Sequence, residues 1–132
     1  MVCIHCGGET KVINSRPQKR NNQVWRRRRC QSCQAVFSSS ESANYDSAWI
    51  VWRGKRAAPF LRDKLLLSLY KSCEHRRSAI SDAGSLVQTV INKLQLQIVD
   101  GSISAAEIGR VAQVALNRFD RAASSHYAAH HR

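Results

Sequence analysis

Two Cys-x-x-Cys pairs near the start of the chain constrain its fold more than any other feature. Cys3 and Cys6 form the first pair, Cys30 and Cys33 form the second, and residues 7–29 separate them. A tight turn brings residues i and i+3 together, so each pair can supply two sulfurs to one ion. The residues between the pairs suffice for a hairpin of strands. The spacing therefore predicts a structural Zn²⁺ site in a zinc ribbon.

A set of redox thiols is the alternative interpretation of these cysteines. A thiol oxidoreductase needs one reactive pair on a β-α unit, whereas both pairs here lie in a polar segment with few apolar residues. A catalytic zinc is disfavoured as well, because four sulfurs close the coordination shell and leave no position for water. His5 lies between two ligands and is expected to face solvent. The sequence offers no other catalytic arrangement, so we expect a protein that is not an enzyme.

The charge of the chain favours a polyanionic partner. Its 21 Lys and Arg residues outnumber 9 Asp and Glu residues, which gives a formal net charge of +12. A balance of this kind is typical of proteins that bind nucleic acid. There is no apolar run of 18 residues and no signal-peptide layout at the N-terminus, so we expect a cytoplasmic protein without a membrane partner.

The arginine run just before the second cysteine pair is the strongest candidate for contact with DNA. Alternate residues of a strand point to opposite sides, and a thin ribbon has no interior that can hide guanidinium groups. All four arginines are therefore expected to meet water or phosphate. Trp25 adds a stacking surface beside them. The candidate DNA-binding residues are Lys11, Arg16, Arg26, Arg27, Arg28 and Arg29.

The ribbon is predicted to contain three short strands and little core. The strands are expected over 9–13, 23–29 and 35–39, with a polar loop over 14–22 and a small-residue linker over 38–44. So few apolar side chains cannot offset the entropy of ordering the segment, so zinc must supply folding energy, on the order of 10 kcal/mol. The expected core residues are Val12, Ile13, Val24, Trp25 and Phe37.

A short β-hairpin and about four helices are expected after the linker. Residues 48–53 and 56–58 are β-prone and flank a Gly54-Lys55 turn. Apolar residues recur at spacings of three and four in three later segments, which predicts three amphipathic helices, and a weaker fourth is expected over 120–129. The chain is thus predicted to be an α+β protein with two domains, over 1–42 and 46–132.

Helix caps and a few isolated residues complete the prediction for the second domain. Ser104 and Glu107 form a capping box before the third helix. Ser81 or Asp82 is expected to cap the second. Cys73 lies on an apolar helical face and is expected to be buried. Three histidines near the C-terminus are expected to belong to a frayed polar tail, namely His126, His130 and His131. The alternative is a metal site, because His126 and His130 have the i, i+4 spacing of metal ligands on a helix.

The N-terminal segment resembles the zinc ribbon of the NrdR family, bacterial transcriptional repressors of ribonucleotide reductase genes. The resemblance rests on the two cysteine pairs together with three further stretches, at residues 10–16, 26–29 and 37–41. Asn14 stands where the family usually has Asp. The resemblance implies that the ribbon binds double-stranded promoter DNA, in the bacterial cytoplasm and associated with the nucleoid.

The remainder resembles the second part of that family, an ATP-cone that senses ATP and dATP. It implies an adenine nucleotide as allosteric ligand and a homo-oligomer whose assembly the nucleotide regulates. This cone is divergent, because the family's usual Val-Lys-Arg is Val51-Trp52-Arg53 here and Ala58 replaces a Glu. The alternative is a general nucleic-acid-binding protein whose cone only oligomerises. The candidate nucleotide-binding residues are Ile50, Trp52, Arg53 and Lys64.

Overall fold

The structure, a computed structural model, describes residues 1–131. The chain divides into two compact units, Met1–Ala43 and a second that begins at Asn44. Four helices and two small sheets confirm the predicted α+β class. Within the described residues, no helix has both the length and the apolar character that a bilayer crossing requires.

The first unit is a three-stranded antiparallel sheet that extends from the cysteine pairs. Strand β1 covers Thr10–Gln18, β2 covers Gln23–Cys30 and β3 covers Val36–Ser42, in the order β1-β2-β3. A short 3-10 turn over Lys19–Asn21 joins the first two strands. The central strand β2 carries the arginine run and is paired along its whole length on both sides.

Two predictions for this unit are wrong. The expected loop over 14–22 is a strand as far as Gln18, and most of the expected linker over 38–44 is strand β3. Both segments are polar, but their backbone groups pair with β2, and a ladder of this kind requires no apolar side chain. Pro17 is tolerated because β1 is an edge strand whose outer side makes no ladder bonds.

The apolar core of the first unit is smaller than predicted. Phe37 is buried beside Cys3 and Cys30. Val12 and Ile13, which were expected in the core, are 40% and 43% exposed. The expected core residues Val24 and Trp25 are half-buried. Within Met1–Ala43 the three strands form a single layer, and most of the apolar side chains of this unit are exposed or half-buried.

The second unit combines the predicted hairpin with four helices and one strand that the sequence did not indicate. Strand β4 (Ile50–Arg53) pairs antiparallel with β5 (Arg56–Pro59), and β6 (Ser102–Ser104) lies parallel to β4 on its other side. Strand β6 has only three residues, too few to show a period. The helices are α1 (Arg62–Cys73), α2 (Ala79–Gln97), α3 (Ala105–Phe119) and α4 (Arg121–His130).

The predicted apolar faces of α1, α2 and α3 form the core of this unit. Cys73 is fully buried among them, as predicted. Helix α4 closes the core with Ala123 and Tyr127. The prediction of a frayed histidine tail is wrong, because α4 extends to His130. The side chains that are almost completely buried include Leu69, Val87, Val90, Ile91, Leu94 and Leu116.

The helix caps are confirmed at one position and wrong at another. Ser104 Oγ accepts a hydrogen bond from the Glu107 amide at 3.1 Å, so Ser104 caps α3 as predicted. Helix α2 begins at Ala79, before the expected caps Ser81 and Asp82. Asp82 instead accepts hydrogen bonds from Ser78 Oγ and from an arginine of the preceding loop.

That arginine, Arg76, joins three helices through two carboxylates. Its guanidinium donates to Asp82 at 2.8 Å and to Asp120 at 2.9 Å, and lies 4.4 Å from the centre of the Phe119 ring. His75 also contacts Asp120, at 3.0 Å. Asp120 in turn caps α4 by accepting from the Ala123 amide. Hydrogen bonds from His75, Ala123 and Arg76 therefore hold the pKa of Asp120 well below its ordinary range.

The lowered pKa of Asp120 predicts that the charge of its carboxylate stabilises the fold at neutral pH. A carboxyl whose pKa is depressed on folding contributes stability above its unfolded pKa, near 4, and loses that contribution as the pH falls further. Asp120→Asn should therefore lower the urea midpoint of the helical circular dichroism signal at pH 7, and the deficit should shrink at pH 3. A deficit of equal size at both pH values would contradict this prediction.

Candidate functional site

The four cysteines of the two pairs come together at one end of the ribbon. Their sulfurs all lie within 4.8 Å of one another. The Sγ atoms of Cys3 and Cys33 are 3.7 Å apart, and those of Cys6 and Cys30 are 3.4 Å apart. Zn–S bonds of about 2.3 Å place tetrahedral sulfurs roughly 3.8 Å apart. The donor set therefore fits a zinc ion held by four thiolates.

Backbone amides donate hydrogen bonds to three of the four sulfurs. The amides of Cys33 and Ser32 donate to Cys30 Sγ at 3.4 and 3.3 Å. These bonds lower the pKa of Cys30 to about 6, although burial opposes the shift. Equivalent amide bonds reach Cys3 and Cys6 in the first turn. At Cys33 the Ala35 backbone acts to lower the pKa of the thiol, but the hydrogen bond with Cys6 and burial raise this pKa to about 12. A thiolate is the form that binds zinc, so the Cys30 turn prepares its own ligand, and a bound ion would have to displace the Cys33 proton.

Gly8 allows the two cysteine turns to approach each other closely. A Cβ atom at this position would lie 2.7 Å from Ser32 Oγ and 3.3 Å from Cys30 Sγ. Any larger residue would therefore push against a ligand sulfur and its neighbouring turn. The requirement for glycine here arises from contact between two segments distant in sequence, and no local signal indicated it.

The sheet divides the six candidate DNA-binding residues between two faces. Strand alternation places Arg27 and Arg29 on one face of β2 and Arg26 and Arg28 on the other. We call the first the open face and the second the paired face. Lys11 lies opposite Arg29 and so belongs to the open face. Besides these two residues and Arg27, the open face contains Asn14, Arg16 and Trp25.

A β-bulge brings Lys11 and Arg16 onto the open face together. The two positions differ by five, so an unbroken strand would place them on opposite faces. The pairing register with β2 shifts between Val12 and Asn14, which leaves Ile13 as the extra residue. Arg16 therefore lies opposite Trp25 on the face that Lys11 shares. The position of the bulge depends on the pairing with β2, and the sequence of β1 alone did not predict it.

The arginines of the paired face bind protein groups. Arg26 forms a 3.1 Å ion pair with Glu41, and Arg28 donates to Ser39 Oγ at 2.9 Å and to Thr10 Oγ1. The expectation that all four arginines face water or phosphate is therefore wrong for these two, because neighbouring strands supply acceptors. On the open face, Arg27 donates to Ser38 Oγ and is exposed, as is Arg29.

The electrostatic contrast between the two faces is large. Glu41 is the single acidic side chain within the three strands, and it lies on the paired face. The open face therefore carries four cationic side chains that no carboxylate of the sheet neutralises. They flank one half-buried aromatic ring, Trp25. This combination of guanidinium groups and an aromatic ring suits a phosphate backbone with bases beside it.

A separate cleft of about 1650 Å³ opens in the second unit. Strands β4 and β5 and helices α1, α3 and α4 all contribute to its walls. Tyr127 forms part of the lining, and burial raises the pKa of its hydroxyl, so the ring remains uncharged at neutral pH. Glu74 is the single acidic side chain in the lining. Four cationic side chains line the cleft as well, namely Arg53, Lys64, Lys71 and Arg110.

The cleft contains two of the four residues that the sequence assigned to nucleotide. Arg53 and Lys64 line it, together with Val51 and Ala58. Ile50 and Trp52 do not line it, because alternation along β4 turns them to the opposite face of the sheet. Both are exposed there, by 39% and 43%. Lys71, Arg110 and Tyr127 also line the cleft, and no local pattern predicted this, because they lie far from the hairpin in sequence.

Comparison with known proteins gives a consistent result. A family model described as "Transcriptional repressor NrdR-like, N-terminal domain" matches residues 1–41. A protein of Symbiobacterium thermophilum named transcriptional repressor NrdR is 32% identical over 132 residues, which cover the whole chain and 87% of that protein. A protein of the same name from Opitutus terrae is 33% identical, over 97% of this chain and 84% of its own length.

A third relative of the same name, from Heliobacterium modesticaldum, is also 32% identical. The match covers the whole of this chain and 87% of that protein. The similarity in these three proteins extends through both units rather than stopping at the ribbon. All three are named as repressors of transcription.

The cysteine geometry predicts one zinc ion per chain, with a stabilising effect on the first unit of the order of 10 kcal/mol. Cys6→Ser should abolish stoichiometric zinc in elemental analysis and unfold residues of the ribbon in an amide NMR spectrum, while the helical signal of the second unit persists. Cys73→Ala, which removes a cysteine outside the cluster, should retain one zinc. A Cys6→Ser protein that still holds one zinc would contradict the assignment of ligands.

Proposed function

Because the chain belongs to the NrdR family of transcriptional repressors, we propose that it represses transcription by binding double-stranded promoter DNA through its zinc ribbon. The genes of ribonucleotide reductase are its proposed targets. The open face carries this proposal, because it presents Lys11, Arg16, Arg27 and Arg29 with no opposing carboxylate in the sheet. The DNA-binding domain is assigned to residues 1–42, and the protein acts in the bacterial cytoplasm at the nucleoid.

Zinc has a structural role in this proposal. The ligands are Cys3, Cys6, Cys30 and Cys33, which would leave the ion no open position for a reacting group. Bound zinc fixes the two turns at one end of β2, and the pairing of β2 then orients the arginines along the sheet. Four thiolates also offset the charge of the ion, so the attraction to DNA comes from the lysine and arginines.

Contacts of two kinds are expected on DNA. The exposed guanidinium groups of Arg27 and Arg29 suit phosphate oxygens, which position the protein without reading sequence. Arg16 lies opposite Trp25, near the end of the sheet away from the cysteines. An arginine can also donate two hydrogen bonds to guanine, so a subset of these residues is expected to read base edges. Specificity then depends on few side chains.

Removal of the open-face arginines should weaken DNA binding and its salt dependence. The double variant Arg27→Ala with Arg29→Ala should reduce the slope of log affinity against log salt by about 2, since each phosphate contact contributes about 0.9. The matched control is Arg26→Ala with Arg28→Ala, which removes the same charge from the paired face and should change the slope less. Fluorescence anisotropy on a promoter fragment measures both. Equal slope changes in the two variants would contradict the assignment of the open face.

The assignment as a repressor needs a separate test of specificity. Affinity for promoter DNA that carries paired family-type sites should exceed affinity for random DNA of equal length at the same salt concentration. Equal affinity for both would reject specific repression. It would favour the alternative function, a general nucleic-acid-binding protein.

We further propose that the second unit, assigned to residues 46–132, is the regulatory and oligomerisation domain. Its ligand would be ATP or dATP in the cleft, and the nucleotide would control the assembly of homo-oligomers. The cationic lining supports this proposal, because Arg53 and Lys64 approach the cleft from different elements and could share the charge of a triphosphate. The adenine base would meet the apolar wall formed by Val51 and Ile108.

The alternative is a cone that only oligomerises. One observation favours it: Ala58, which stands where the family has Glu, contributes no polar group to the cleft wall. Trp52 stands where the family has Lys, but on the face of β4 away from the cleft, so that exchange removes no contact from the cleft. Loss of several polar contacts at once would remove affinity for nucleotide. The exposed ring of Trp52 and the neighbouring Ile50 would then serve contacts between subunits.

Calorimetry separates the two functions. Binding of ATP or dATP should produce measurable heat, and Arg53→Ala with Lys64→Ala should weaken the affinity at least tenfold, because two cationic partners of the phosphates are lost. Trp52→Ala, on the opposite face of β4, should leave the affinity within a factor of about 2 of the wild-type value. Absence of heat at high micromolar nucleotide with the wild-type chain would favour the cone that only oligomerises.

A further inference from the structure

We propose that the exposed end of α4 is a second metal site, in which His126 and His130 bind a divalent transition-metal ion of the Ni²⁺, Cu²⁺ or Zn²⁺ type. The site lies in the second unit, where both rings also border the cleft proposed for nucleotide, and its donor atoms differ from those of the cysteine cluster. It depends on the helix that replaces the predicted frayed tail.

The helix places the two rings beside each other. His126 and His130 are one turn apart in α4, and both are exposed. Their rings are stacked, with centroids 4.2 Å apart and planes inclined by 22°. Metal–nitrogen bonds of about 2.0–2.1 Å require two ligand nitrogens to lie roughly 3–3.5 Å apart, each with its in-plane lone pair directed at the ion. Stacked rings do not meet this condition, so metal binding requires the His126 ring to rotate out of the stack. Histidine pairs at this spacing on one helix face are an established zinc-binding arrangement.

A backbone hydrogen bond orients the His130 ring and leaves its other nitrogen for a metal. His130 Nδ1 lies 2.9 Å from the carbonyl oxygen of His126. A carbonyl oxygen can only accept, so Nδ1 is the donor of this bond, and Nε2 is the nitrogen that can face a metal. Ligand histidines commonly donate their second nitrogen to a carbonyl in this way, which orients the ring and increases its basicity. The helix backbone therefore supplies the outer support of the site.

The other histidines differ from this pair. His75 is bound to the carboxylate of Asp120. His131 has its ring stacked on Tyr127, with Nδ1 bonded to the Tyr127 carbonyl and Nε2 2.7 Å from Ser68 Oγ. Both nitrogens of His131 are thus engaged by protein groups. Within residues 1–131, neither His126 nor His130 forms an ion pair with a carboxylate, which leaves the stacked pair accessible to an ion.

The chemistry of the donors selects the class of ion. Imidazole nitrogen prefers borderline ions such as Ni²⁺, Cu²⁺ and Zn²⁺ over Mg²⁺ or Ca²⁺, which prefer oxygen. Two protein ligands leave the remaining coordination positions to water or to a further donor from outside the chain. The site is therefore expected to exchange its metal readily, unlike four thiolates that enclose an ion.

Nickel titration of the zinc-loaded full chain tests the site. Isothermal calorimetry should show one saturable Ni²⁺ site per chain, with the ribbon zinc retained as judged by a zinc indicator. His126→Ala with His130→Ala should weaken this binding at least tenfold without changing the zinc content. The control His131→Asn alters a neighbouring histidine that the site does not use, and it should leave the nickel affinity unchanged.

A second variant keeps the number of histidines constant. Ala122→His with His126→Ala places the moved ring at an exposed position eight residues from His130, about 12 Å away along the helix axis, so the two rings cannot share one ion. It should bind nickel as weakly as the double alanine variant, while thermal melts confirm that both remain folded. Nickel affinity equal to wild type in either folded variant, or lost in His131→Asn, would overturn the proposal.

Discussion

The convergence of four cysteine sulfurs is the constraint on which the arrangement of the first unit depends. Its apolar core contains little beyond Phe37 and two of the cysteines, so packing alone cannot fix the strands. The sulfurs lie within 4.8 Å of one another at one end of the sheet, and the arginine strand β2 leads directly into one of the ligand turns. A metal bound there orders the backbone that carries the cationic side chains. Metal binding and presentation of charge are thereby coupled through a single strand.

Antiparallel pairing then places the arginines of β2 in two sets, on opposite faces of the sheet. Arg26 and Arg28 contact Glu41, Ser39 and Thr10 and contribute to holding the three strands together. The open face retains its charge because the strands place no carboxylate there. A run of four arginines is therefore two pairs with different environments. The second unit shows the same effect of alternation, since β4 directs Arg53 into the cleft and Trp52 away from it.

The sequence predicted most of the architecture and only part of the candidate sites. The cysteine pairs, the hairpin and the helices of the second unit were accessible because each has a local signal, such as ligand spacing, a Gly turn or a period of three to four residues. Strands β1 and β3 were predicted too short, because the order of their polar ends comes from backbone bonds to β2 rather than from apolar side chains. The histidines of α4 were placed in a frayed tail because this segment is weakly apolar; packing of Ala123 and Tyr127 against the core orders it.

The sequence by itself determined the ligand set, the number of cationic side chains near it, the cap at Ser104 and the membership of the helical core. These features depend on residues that are close in the chain or on simple periodicity. Tertiary structure decided which cations share a face, because the bulge at Ile13 shifts Arg16 onto the side of Lys11. It also decided which residues meet in the cleft and which acid meets Arg76, since Asp120 lies 44 positions away. Such contacts depend on strand register and helix packing, which are set by bonds between distant segments and leave no mark in any one of them.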